Sequence, residues 1–111
     1  MVYLWGEAVR WVDDEPQPGV VEVCFTDADG RRWSIIGKTA MFGTDQALGP
    51  GAWIEADSPF PFPADIDCTV LGPAAGRADE VVTVSIWQPH HLQTVCGRRE
   101  FPMRRDQLFE E

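Results

Sequence analysis

Val21-Glu22-Val23-Cys24-Phe25-Thr26-Asp27-Ala28-Asp29-Gly30-Arg31-Arg32-Trp33-Ser34-Ile35 is the stretch that sets the fold class. Val21, Val23 and Phe25 recur at every second residue, as do Trp33 and Ile35 beyond the Asp-Ala-Asp-Gly break. Period two is the mark of strands with one buried face. The break must also bring both apolar sets to one side. A three-residue loop of Ala28, Asp29 and Gly30 sets Phe25 opposite Trp33 and Val23 opposite Ile35. A two- or four-residue loop puts the two sets on opposite faces. The stretch therefore predicts a hairpin closed by a type I turn, with Gly30 left-handed as a G1 bulge.

Working outward, Tyr3 to Val12 is apolar on both parities, with Tyr3, Trp5, Val9 and Trp11 on one and Leu4, Ala8 and Val12 on the other. Such a strand is buried on both faces or bends, and Gly6 offers a place to bend. Gly37 to Gly51 reads as irregular, with a helical turn near Thr44 to Leu48, and Ala52 to Ala56 reads as a short strand. The alternating prolines of Pro59-Phe60-Pro61-Phe62-Pro63 force an extended run. Asp65 to Leu71 alternates with Ile66, Cys68 and Val70 inward, and Glu80 to Trp87 with Val82, Val84 and Ile86 inward, so the two are expected to pair antiparallel. His90–Val95 and Arg98–Met103 form the last expected hairpin, turning at Cys96-Gly97 with Leu92 opposite Phe101. Pro102 marks that strand as an edge. Residues 104–111 read as a short helix or a frayed tail. The whole is an all-β domain spanning 1–111: a small antiparallel barrel or a two-sheet sandwich of six to seven strands, with no long helix.

A length of 111 residues suits one domain. Five Trp and six Phe make aromatic packing the expected heart of the core. Cys24, Cys68 and Cys96 are odd in number and far apart, which is not a disulfide framework. The opening residues lack a basic region and a long apolar run, so neither a secretory leader nor a membrane segment is expected, and a cytoplasmic location is the simplest. Formal net charge is −9. Residues 1–97 hold 5 basic and 14 acidic groups, whereas 98–111 hold 4 of each. That balance argues against nucleic acid as a partner and suits a basic protein.

No motif carries a catalytic or cofactor signature. Gly37-Lys38-Thr39 matches the end of a phosphate loop, but the glycine required five residues earlier is Arg32. Asp27-Ala28-Asp29-Gly30 matches part of a calcium loop, but its ligand positions at Phe25 and Ile36 are apolar. No metal and no cofactor are expected. His90 and His91 are the two histidines, and neighbours on a strand point apart. Cys96, beside Arg98 and Arg99, is the cysteine whose surroundings favour a reactive thiolate. Asp65 and Asp67 share a face. Arg98, Arg99, Arg104 and Arg105 form the densest positive cluster and are candidates for holding an anion or a carboxylate. Phe60 and Phe62, on a stiff segment, are candidate anchors for a partner, and His90 and His91 complete the candidate binding set.

With these features the expected function is a protein–protein interaction module, such as an acidic inhibitor or immunity-type protein that binds a basic partner. Asp13-Asp14-Glu15 and the pair Glu55 and Asp57 are expected to supply its charged surface. The alternatives are a subunit that self-associates through its edge strand or exposed aromatics, and a small-ligand binder or enzyme using the barrel mouth.

Overall fold

The expected alternation builds real strands. A computed structural model describes residues 2–43, 49, 52–88 and 90–110. In chain order the strands are β1 (Val2–Asp13), β2 (Val20–Thr26), β3 (Arg32–Lys38), β4 (Phe42–Gly43), β5 (Phe62–Pro73), β6 (Val81–Ser85), β7 (Glu100–Arg104) and β8 (Leu108–Glu110), with single 3₁₀ turns at Thr39–Met41 and Arg105–Gln107. Every ladder is antiparallel. Six strands run in the order β3-β2-β1-β5-β6-β7, while β4 adds to β5 and β8 adds to β1. The sheet curls into a half-barrel. Among the described residues no helix is long and apolar enough to cross a membrane.

The first hairpin has the predicted register, with Phe25 opposite Trp33 and Val23 opposite Ile35. Asp27 N–H donates to Arg31 C=O at 2.9 Å, and Gly30, at φ +81°, occupies the left-handed position. Asp27 is buried, and its carboxylate organises the turn: Oδ1 accepts from the N–H groups of Asp29 (2.8 Å) and Arg31 (3.0 Å), and Oδ2 from the Trp33 indole N–H (2.8 Å). A buried carboxylate survives through such donors.

Strand β1 resolves its double parity by a bulge. Leu4 and Ala8 are fully buried, so Tyr3, Trp5 and Glu7 take the other face. Pairing then shifts between Ala8 and Arg10, leaving Val9 as an extra residue, so that Trp11 falls opposite the buried Val21 and packs on the core. Gly6 is a point of close approach. A Cβ there would lie 2.8 Å from Ile66 Cδ1 and 2.9 Å from both Cys24 O and Val23 Cγ1.

The outer strands β3 and β7 do not pair with each other. Aromatic packing and two backbone bonds bridge the gap. Phe101 meets Phe25 edge-on (centroids 5.0 Å, 88°) and Trp33 at 60° (5.0 Å). Ala28 N–H donates to Pro102 C=O, and Val95 N–H to Ser34 C=O, each at 2.9 Å. Pro102 thus lies on an edge strand, as its missing N–H requires.

Four local expectations need correction. Ala52–Ala56 is not a strand: Ile54 is buried, but the segment ends in a turn where Ser58 N–H donates to Glu55 C=O at 3.1 Å. The last hairpin does not form, because β7 pairs with β6, setting Phe101 opposite Val84 and Met103 opposite Val82. Residues 94–98 make a turn through Val95, Cys96 and Gly97, one residue wider than expected, in which Thr94 N–H donates to Arg98 C=O and the Thr94 hydroxyl accepts from Arg98 N–H. The tail is helical only in the 3₁₀ turn Arg105–Gln107 and is not frayed at 108–110, which form β8. Gln107 Nε2 donates to Thr26 C=O at 3.1 Å, and β8 completes a ladder on β1. Val70, expected inward, is 38% exposed beside the bulge between Val70 and Gly72. The expected turn at 44–48 lies outside the described residues. β5 and β6 pair as expected, with Val70 opposite Val84.

Trp33→Phe keeps an aromatic ring but removes the donor to a buried carboxylate, and is expected to cost about 1–3 kcal/mol in urea unfolding. Gly6→Ala, which forces a methyl against Cys24 C=O, is expected to cost about 1–3 kcal/mol by the same measurement.

Candidate functional site

The sheet face turned away from the core carries an ordered row of side chains. Tyr3 and Trp5 project from β1, and Phe109 from β8 stacks on both, at 5.2 Å from Tyr3 and 4.6 Å from Trp5. On the other side of β1, Asp67 stands opposite Tyr3 and Asp65 opposite Trp5. The two acids alternate with the buried Ala64, Ile66 and Cys68, which fixes them on this outer face. Gly43 of β4 lies opposite Asp65, and its lack of a side chain leaves room for that carboxylate. His90 Nε2 meets Asp67 Oδ2 at 2.7 Å. Close by, Arg32 approaches Glu7 at 3.4 Å, and a cavity of about 250 Å³ opens between Trp5, Glu7, Phe25, Arg32 and Gln107.

The candidates named from sequence are scattered rather than gathered. Phe62 is a core residue, and Phe60 packs on it at 5.3 Å. His90 and His91 separate, His90 to Asp67 and His91 onto the Trp87 ring at 4.8 Å. The four tail arginines part in the same way. Arg98 lies over Trp33 and Phe101, at 4.7 and 5.3 Å, while Arg99 lies 3.5 Å from the Trp87 centroid. Arg104 pairs with Asp106 at 3.1 Å, and Arg105 Nε donates to Asp79 C=O at 2.9 Å, beyond the other end of β7. Arg98 also lines a cleft of about 320 Å³ with Arg77, Thr83 and Glu100. The Asp27-to-Gly30 loop holds its acids with its own donors, and Asp29 pairs with Arg77 at 2.8 Å. Among the described residues no three His, Cys, Asp or Glu side chains gather as a metal site.

The cysteines differ in kind. Cys96 is exposed, and its sulfur lies 3.1 Å from the Thr94 hydroxyl. That contact, with help from the N–H groups of Arg98 and Cys96 and the charge of Arg31, holds the thiol below the usual cysteine range against desolvation. Burial, with the nearby Asp67 charge, pushes Cys68 up to about 12. Compared with protein-family models, curated proteins and solved structures, the chain matches none of them.

Sequence reading found Asp65, Asp67 and His90, but did not place them beside the aromatic row. Phe109 carried no strand-length pattern, because β8 is three residues long.

Iodoacetamide is expected to label Cys96 alone in the folded protein and Cys24 and Cys68 only after unfolding, as read by peptide mass spectrometry. The thiolate is the reacting form, so the pH profile of Cys96 labelling is expected to rise at lower pH than that of a free cysteine peptide.

Proposed function

We propose that this protein is an interaction module that binds a basic protein, as an acidic inhibitor or immunity-type protein does. The supporting observation is the disposition of its charges. All eight arginines are engaged within the molecule. Arg10, Arg32, Arg77 and Arg104 meet carboxylates. Arg31, Arg98 and Arg99 lie on indole rings, and Arg105 bonds a backbone carbonyl. By contrast, Asp13-Asp14-Glu15, Glu55, Asp57, Asp79 and Glu80 are exposed and, among the described residues, have no basic side chain within ion-pair distance. With Lys38 the remaining exposed base, the charge facing outward is on balance negative, in keeping with the formal −9. Such a surface accelerates encounter with a positive partner and repels a negative one.

The test is retention of proteins from a cell lysate on the immobilised chain. Basic proteins are expected to bind at about 0.05 M salt and to leave by about 0.5 M, as screening shortens the Debye length. Retention indifferent to salt, or light scattering that finds only self-association, would refute the proposal.

A further inference from the structure

The geometry points to the outer face of β1, β5 and β8 as the docking surface, where the partner lays an arginine or lysine side chain along Trp5 with its charge against Asp65 and Asp67. This inference rests on the reading of the protein as a binder of basic proteins, and it names where and how that binding occurs.

Three observations carry it. The first is the company kept by the tryptophans. Trp33 carries the guanidinium groups of Arg31 and Arg98, and Trp87 that of Arg99. Trp5 is stacked on Phe109 and 38% exposed, and among the described residues no cation lies over it. An indole face attracts a cation, and an adjacent carboxylate adds to the attraction. The second is charge complementarity. Asp65 is the cross-strand neighbour of Trp5 and Asp67 that of Tyr3, so acids stand directly beside the rings. His90 positions Asp67, and a carboxylate has lone pairs for more than one donor. The third is rigidity. β1 is hydrogen-bonded on both flanks over Val2–Leu4, to β5 and to β8, so the row is fixed before any partner arrives. Fixed aromatic anchors lose little entropy on binding. Trp53 is more exposed, at 68%, but residues 52–56 form no strand that would hold it in place.

The experiment is an amide NMR titration of the full chain with an octa-arginine peptide at low salt. The largest shifts are expected at residues 2–5, 64–68 and 108–110. Trp5→Ala is expected to weaken binding about tenfold, as loss of one anchor does. The paired change Asp65→Asn with Asp67→Asn, which keeps shape and fold, is expected to weaken it as much, and Trp53→Ala to leave it unchanged. Shifts centred on 13–15, 55–57 or 79–80, or a loss with Trp53→Ala in place of Trp5→Ala, would overturn the assignment of this face while leaving the basic-partner reading intact. Absence of binding at any salt would remove both.

Discussion

The bond from the Trp33 indole to the Asp27 carboxylate is the constraint on which the rest of the structure depends. It places a buried acid and a large ring at the tip of the first hairpin, beside the gap where the sheet fails to close. Held there, Trp33 meets Phe101 from the opposite edge strand and accepts two guanidinium groups on its ring. Beside it, the backbone bonds across this gap run from the Ala28 turn to Pro102 of β7 and from the Val95 loop to Ser34 of β3, and neither joins β3 to β7 directly. A half-barrel is thus sealed by side chains where a closed barrel would use a ladder.

Much of this was legible in the sequence. The register of the first hairpin followed from parity at Val23, Phe25, Trp33 and Ile35, and the pairing of β5 with β6 followed from their shared alternation. What failed was of a different kind. β7 could pair with the residues before it or with β6, and both choices satisfy period two. Competition for an edge is a non-local matter, decided here by Val82 and Val84 facing Met103 and Phe101. The apolar clash of parities in β1 was visible, and of its two expected outcomes the strand takes the bend, through a bulge at Val9 and not at Gly6. β8 was too short to show any period.

The same distinction governs the candidate site. Residue types that carry chemistry stood out, but proximity did not. Four arginines close in sequence reach four different partners, because β7 lies between the pairs and the two members of each pair turn to different neighbours. The row formed by Tyr3, Trp5 and Phe109 with Asp65 and Asp67 joins three segments that sequence order keeps apart. Its parts were readable one by one; their adjacency is a product of topology.

The position of β1 also bears on how the molecule assembles. Its neighbours come from residues 20–24, 62–68 and 108–110, so the strand at the centre of the sheet acquires its final flank from the last one in order. Contacts that span so much chain require long loops to close before they return any stabilisation. Such a topology belongs with slow folders, and until β8 arrives, one flank of β1 at Val2–Leu4 stays open to pairing with another chain.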